Sequence, residues 1–324
     1  MKVIRAKVLG FCMGVRRAVE MADAAISAAA SPVKPPAVPD RPPIFTLGPL
    51  IHNPQVLVSL TERGVQILDE TKSPGAVMAD AVVIIRAHGV GPDTERQIQK
   101  QGARIIDATC PRVKANQNAA LTLAEKGYRI FLAGEKDHAE IKGIYGYTME
   151  GASQFMKKSA LFKRPPEVTS CVIVGNNEEA ERCAAEAARQ WKDQPVKTAL
   201  IGQTTISEDE YQSIAEAIKK HFPNLEVKNT ICEATRDRQG ALRELCSAVD
   251  AVVIAGGKES ANTRRLLSIA RDCGKPAWIA ESAAGLPPEI MRQPEAGWTF
   301  SAIGLSAGAS TPDSVIDELE QALL

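Results

Sequence analysis

Short apolar runs rich in β-branched residues alternate with helical patterns along almost the whole chain, and this leaves few folds open. The pattern predicts strands at Val3–Val8, Ile44–Leu47, Ala81–Arg86, Arg104–Ile106, Arg129–Ala133, Val172–Val174, Ala199–Ile201, Ala251–Ala255, Ala277–Ala280 and Phe300–Leu305. Between most of them it predicts helices, at Val15–Ala29, Val113–Lys126, Glu178–Trp191, Glu208–His221, Arg236–Ser247 and Thr263–Arg271. A strand–helix–strand order needs parallel sheets covered by helices. Functional groups in such folds collect beyond the carboxyl ends of the strands.

Three cysteines stand where strands pass into helices. They lie in Gly10-Phe11-Cys12-Met13-Gly14, Asp107-Ala108-Thr109-Cys110-Pro111 and Thr230-Ile231-Cys232-Glu233-Ala234-Thr235. Each falls near the start of a different third of the chain. A faint repeat accompanies them: the strand and polar loop at Asp80–Gly89 resemble those at Asp250–Ser260, and Arg129–Gly134 is a weaker copy. Three copies and three cysteines suggest three small α/β units around a shared centre. Three thiolates can hold an iron–sulfur cluster while one iron stays without a protein ligand. An open metal position can bind a substrate, by the logic that separates catalytic from structural zinc.

The bulk composition narrows the function classes. Lys+Arg and Asp+Glu both number 39, so no basic field invites nucleic acid or a membrane surface. Aromatics are only 4%, too few for base-stacking platforms. The N-terminal stretch has no apolar core of a signal peptide, and no run is long enough to span a bilayer. An odd count of seven cysteines in a chain of cytoplasmic character favours thiols or metal ligands over disulfides. Cys171, Cys183, Cys246 and Cys273 read as small core or surface residues. Six prolines between Pro32 and Pro43 mark an extended surface insertion, and Lys163–Glu167 is a second linker-like stretch.

Three of the four histidines follow apolar strands: His52, His88 and His138. Convergent imidazoles could ligate zinc or hold an anion. His221 sits near a helix end and reads as a surface residue. Two segments look like anion cradles, Gly256–Thr263 and Ser306–Asp313, with Thr311 as a helix N-cap and Pro312 at the first position. Neither fits a nucleoside-triphosphate or dinucleotide fingerprint. Glu140 follows His138 by two residues, and a carboxyl in a dry pocket can act as an acid. Thr204, in Gln203-Thr204-Thr205 after a strand, could orient a hydroxyl or a water.

Taken together these motifs resemble the IspH/LytB family of 4-hydroxy-3-methylbut-2-enyl diphosphate reductases. The resemblance rests on Gly10–Val15, His52-Asn53, Ala87–Val90, Asp107–Pro111, His138-Ala139-Glu140, Gln203–Thr205, Cys232 with Ala234-Thr235, Ser260–Thr263 and Ala307–Ser310, in the family's order and over nearly the whole chain. It implies three parallel-sheet α/β lobes, arranged pseudo-threefold around a central [4Fe–4S] cluster held by Cys12, Cys110 and Cys232. Oxygen exposure would leave that cluster as [3Fe–4S]. The substrate diphosphate would be held by His52, His88, His138, Ser260, Asn262 and Ser310. Glu140 would supply protons with Thr204 in the relay, and His138 would also belong to the catalytic set. The implied reaction is reductive removal of the substrate hydroxyl, with ferredoxin or flavodoxin as electron donor and no nucleic-acid or membrane partner. The expected lobes are 13–108 with the insertion at 32–43, 109–230, and 231–324 completed by 1–12.

Two departures from the family pattern are visible. Ala261 stands where the family has a second serine, which removes one hydroxyl donor, worth on the order of 1 kcal/mol. Ala139 replaces the proline between the histidine and the glutamate. Two other readings share the cysteines: a paralogue acting on another allylic or diphosphate substrate, and a cluster or zinc protein that senses redox state. Sensing needs no proton donor, and Glu140 with Thr204 argues against it.

Overall fold

The computed structural model describes residues 1–30, 42–69, 79–159, 171–191, 196–291 and 300–324. The proline-rich insertion falls almost wholly outside these residues, and Lys163–Glu167 falls entirely outside them.

In chain order the elements are β1 (Lys2–Arg5), α1 (Met13–Ala30), β2 (Ile44–Leu47), α2 (Pro54–Glu62), β3 (Val65–Leu68), β4 (Val82–Ile85), α3 (Pro92–Lys100), β5 (Arg104–Asp107), α4 (Pro111–Glu125), β6 (Arg129–Ala133), α5 (Ala139–Ser159) and β7 (Cys171–Val174). They continue with α6 (Asn177–Trp191), β8 (Thr198–Gly202), α7 (Glu208–Lys219), β9 (Glu226–Val227), α8 (Glu233–Cys246), β10 (Ala251–Ala255), α9 (Ala261–Asp272), β11 (Ala277–Ala280), α10 (Pro288–Met291), β12 (Ala302–Ala307) and α11 (Asp313–Leu323). The strands form three four-stranded sheets, ordered β3-β2-β4-β5, β7-β6-β8-β9 and β1-β12-β10-β11. Every pairing is parallel. No helix among the described residues is long and apolar enough to cross a membrane.

The chain divides into two compact units. One gathers Met1–Arg16, Ile51–Leu60 and Cys232–Leu324 and contains the sheet β1-β12-β10-β11. Its β10 is buried on both faces, which is why it reads as a continuous apolar run. Val253 packs with Val315, Ile316 and Leu319 of α11, while Val252 and Ile254 pack with Leu242 and Leu245 of α8 and Leu266 of α9. The N-terminal β1 joins this sheet by pairing with β12, from Lys2 against Ala302 to Arg5 against Leu305.

The other unit, Arg17–Leu50 and Thr61–Ile231, contains the two remaining sheets. In β6, Ile130 and Leu132 face α4 and α5, whereas Phe131 and Ala133 face α6 and α7. The long helix α5 is absent from the sequence reading, because Gly143, Gly146 and Gly151 weaken its local signal. Tertiary packing overrides that penalty. A β-carbon at Gly151 would strike the carbonyl oxygen of Leu121 on α4, and one at Gly146 would lie 3.0 Å from Cα of Gly91. These glycines let α5 lie directly on neighbouring backbone. The short edge strands β3 and β9 and the helices α2 and α3 also lie outside the predicted set.

Gly151→Ala should therefore destabilise this unit by about 1–3 kcal/mol through overpacking. Gly240→Ala, on the open face of α8 with nothing within 4 Å of the added carbon, should be neutral or stabilising. Thermal and urea unfolding of both variants against the wild type would check the contrast; equal midpoints would refute it.

Candidate active site

Each candidate site residue leaves the carboxyl end of a parallel strand or opens the helix that follows. Cys12 follows β1, His52 follows β2, His88 follows β4 and Cys110 follows β5. His138 and Glu140 follow β6, Thr204 follows β8, Cys232 follows β9, Ser260 and Asn262 follow β10, and Ser310 follows β12.

In the unit Arg17–Leu50 with Thr61–Ile231, Glu140 lies in the first turn of α5 and is only 1% exposed. Thr204 grips both carboxyl oxygens: its backbone N–H donates to Oε1 at 2.7 Å and its hydroxyl to Oε2 at 2.8 Å. Burial pushes the Glu140 carboxyl up to about 7, against the opposing pull of the two Thr204 hydrogen bonds. The group is thus poised to hold or release a proton near neutrality. Gln203 anchors the loop, with its side-chain oxygen accepting from the Glu135 N–H at 3.0 Å and its amide donating to the Thr205 hydroxyl at 2.8 Å.

His138 sits just ahead of α5. Its Nδ1 accepts the Glu140 backbone N–H at 3.2 Å, which requires that nitrogen to be unprotonated and places the ring proton on Nε2. The His88 ring meets the His138 ring edge-on, with centroids 5.1 Å apart. The turn that carries His88 depends on Gly89, whose φ is +69° and whose missing side chain leaves room for Gln117 Nε2 and Thr109. Cys110 caps α4, with Pro111 as its first residue, and its N–H donates to the Ala87 carbonyl at 2.9 Å. Arg17 holds the same loop by donating to the carbonyl of Thr109 at 3.1 Å.

In the unit that contains β10 and β12, Ser260 caps α9 by accepting the Thr263 N–H at 3.3 Å. Asn262, on the same first turn, is 4% exposed, and neither its amide nitrogen nor its oxygen has a hydrogen-bond partner. Burying the amide nitrogen unpaired costs free energy, and helix N-terminal N–H groups lie beside it; an anionic ligand would accept from that nitrogen and from those N–H groups. Ala261 is buried at the start of the same helix. The Ser310 hydroxyl donates to the His52 carbonyl at 3.0 Å, so it fixes the loop that carries the imidazole. Asn53 caps α2 by accepting the Val56 N–H at 3.1 Å. Thr311 differs from its expected role. Its hydroxyl donates to the Ala255 carbonyl at 3.0 Å, Pro312 takes the cap position, and α11 starts at Asp313. The strand-end carbonyl captures the hydroxyl before the helix can.

Cys12 donates its N–H to the Ala309 carbonyl at 3.1 Å and accepts from the Arg16 N–H at 2.9 Å, while Cys232 is the N-cap of α8. None of the seven cysteines forms a disulfide. Cys12, Cys110 and Cys232 are half-buried ahead of helices, where anionic sulfur is stabilised. Cys171 and Cys246 are buried, and desolvation drives both thiols up, Cys246 to about 11. The first three therefore suit an iron–sulfur cluster in donor chemistry, and the buried pair do not. Among the buried polar groups that the sequence does not single out are two on helices. Asn116 donates to the carbonyls of Gly202 and Thr230, and Arg238 of α8 is 2% exposed. A polar residue in an amphipathic helix reads as solvated, so neither leaves a local signal.

The chain is similar over nearly its whole length to known proteins. The family model described as "LytB protein" matches residues 3–324. The 4-hydroxy-3-methylbut-2-enyl diphosphate reductase of Treponema denticola is 43% identical, with 100% of this chain and 99% of that protein aligned. The enzyme of the same name from Solidesulfovibrio magneticus is 37% identical over 100% of this chain and 99% of its own length. The solved structure of the E-1-hydroxy-2-methyl-but-2-enyl-4-diphosphate reductase from Plasmodium falciparum superposes with a TM-score of 0.79 at 25% identity, covering 99% of this chain and 87% of that one. A structure of (E)-4-hydroxy-3-methyl-but-2-enyl diphosphate reductase, described as the terminal enzyme of the non-mevalonate pathway, gives a TM-score of 0.65 at 32% identity, covering 100% and 99%.

The Glu140 environment has a measurable signature. Its folded-state value of about 7 lies above its ordinary 4.5, so its contribution to stability is complete below about pH 4.5 and is lost as pH rises through about 7. The full loss is on the order of 3 kcal/mol. Glu140→Gln should lack this dependence, and the stability difference between the two proteins should change in favour of the variant between pH 5 and 8. A pH-independent difference would show that the carboxyl is not perturbed.

Proposed function

The chain belongs to the LytB family, and we propose that it is a reductase of 4-hydroxy-3-methylbut-2-enyl diphosphate, releasing isopentenyl and dimethylallyl diphosphate at the end of the non-mevalonate route. Two electrons and two protons remove the substrate hydroxyl as water. The observation that carries the chemistry is Glu140, a buried carboxyl still able to hold a proton near pH 7 and gripped at both oxygens by Thr204. A redox sensor has no use for such an acid.

Cys12, Cys110 and Cys232 are the proposed ligands of a [4Fe–4S] cluster, supported by half-buried thiols at helix starts that take part in no disulfide. When bound, that cluster supplies electrons and a Lewis-acidic iron. Ser260, Asn262, Ser310, His52, His88 and His138 are the proposed holders of the diphosphate. The buried, unpaired amide of Asn262 and the Nε2 proton assigned to His138 support that reading. Glu140 gives its proton toward the departing hydroxyl, and Thr204 keeps the carboxyl oriented. Ferredoxin or flavodoxin is the proposed donor, and the cytoplasm the proposed compartment. The proposed lobes remain 13–108, 109–230 and 231–324 with 1–12; the pairing of β1 with β12 supports the last of these.

Anaerobically purified protein, given 4-hydroxy-3-methylbut-2-enyl diphosphate and reduced methyl viologen, should oxidise the viologen and yield both five-carbon diphosphates. An intact cluster without turnover would reject the assignment. Glu140→Gln should lower kcat by about 10²–10⁴-fold while the cluster spectrum is unchanged. In the wild type, kcat should fall as pH rises above about 7, where the acid ionises. Near-normal turnover of the variant would remove Glu140 from the reaction.

Asn262→Ala should raise KM more than it lowers kcat, because it removes a binding group remote from the reacting carbon. An unchanged KM would take Asn262 out of the diphosphate site.

A further inference from the structure

Arg238 is a buried cation to which the mechanism above assigns no task. Its side chain is 2% exposed in the interior of α8. One terminal nitrogen, Nη1, donates to the Ala234 carbonyl at 2.9 Å, and the other, Nη2, donates to the Gly10 carbonyl at 2.7 Å. Those carbonyls lie two residues after Cys232 and two residues before Cys12. The guanidinium therefore ties together the two segments that carry these thiols. Nε is buried without a hydrogen-bond partner, and no carboxylate is among the ion-pair partners of Arg238 within the described residues.

A guanidinium does not shed its proton inside a protein, so a buried one needs an anion nearby. Its two hydrogen bonds end on the segments that carry Cys12 and Cys232, and the neighbouring carboxylate in sequence is Asp237. Asp237 is exposed on the outer face of the helix and is screened by water. With the proposed cluster bound, the thiolates of Cys12 and Cys232 would be the counter-charge that remains. Gly10 is shaped for the contact: its φ is +79°, and a β-carbon there would lie 3.1 Å from Asp313 Oδ1 and from Ile316 Cδ1.

We infer that Arg238 is a positioning residue that acts as the built-in counter-charge of the Cys12–Cys232 thiolate pair and raises the potential at which the cluster accepts an electron. The inference rests on the cluster reading given above. Reduction adds one negative charge to a group already surrounded by thiolates. A fixed positive charge in a low-dielectric setting stabilises that product more than the oxidised form.

The test is a dithionite redox titration of the cluster-loaded protein followed by electron paramagnetic resonance, for wild type, Arg238→Gln and Arg238→Lys. Arg238→Gln should show about a tenfold lower ratio of reduced to oxidised cluster at a fixed ambient potential, equivalent to about 59 mV for a one-electron couple. Arg238→Lys, which keeps the charge and loses the second hydrogen bond, should stay close to wild type. An unchanged potential in Arg238→Gln would overturn the inference, as would an equal fall in both variants, which would mark a packing effect. Should Arg238→Gln fail to hold a cluster, the lysine variant decides alone: normal loading at the wild-type potential supports the charge, and a lowered potential refutes it. A wild-type protein that assembles no cluster would sink the functional reading and this inference together. A wild type that turns over, with variants of unaltered potential, would sink the inference only.

Discussion

Parallel strand pairing is the constraint from which the other features follow. A strand can lie parallel to its predecessor only if the chain crosses back over the sheet, and here helices make that return. Each sheet therefore gathers its strand-to-helix loops at one edge. Those loops carry all the chemistry-bearing residues of the chain, from Cys12 after β1 to Ser310 after β12. Helix starts follow at once, and they bring N–H groups and the positive end of a dipole to the same edge. Anionic sulfur and phosphate are both stabilised there, so one topological rule would serve the proposed cluster ligands and substrate holders alike.

Within that frame the hardest-won group is Glu140. Desolvation favours its neutral form, and the two hydrogen bonds from Thr204 favour the charged one. Desolvation prevails and leaves the carboxyl at about 7, a value that suits the proton-donor role proposed for it. The scaffold supplies the dryness: Ile141 and Ile144, the next residues of α5 toward the core, pack against Ile130 and Leu132 of β6. Gln203 then locks the partner loop, so Thr204 cannot drift from the carboxyl.

Much of this was legible in the sequence, and the illegible part has physical causes. Ile44–Leu47, Arg129–Ala133 and Ala251–Ala255 are legible with their true bounds because central parallel strands are apolar on both faces, and the edge strand Ala277–Ala280 is legible because it is apolar throughout. The edge strand β3 alternates with Gln66 exposed, and β9 is two residues long, so each exists only through its neighbour. Helix α5 is hidden by glycines whose purpose is close approach to other backbone. Cysteines and histidines announced themselves by their rarity and their position after strands. Asn116 and Arg238 did not, since a polar residue on a helix looks solvated until the fold buries it. Thr311 looked like a cap because a hydroxyl before a proline usually is one; the competing acceptor, Ala255, is distant in sequence.

The pairing of β1 with β12 has a consequence for how the protein is made. Synthesis delivers β1 and the Cys12 loop at the outset, but the strand that accepts them is translated after nearly everything else. The unit built from Arg17–Leu50 and Thr61–Ile231 has all its strands outside the ribosome earlier and can close on the nascent chain. The other unit cannot finish its sheet until β12 emerges, and only then do Cys12 and Cys232 settle against a completed core. Under the proposed ligand set, iron and sulfide could be received only after β12 has been made, and a chain lacking β12 would present the Cys12 thiol without the fold that shelters it.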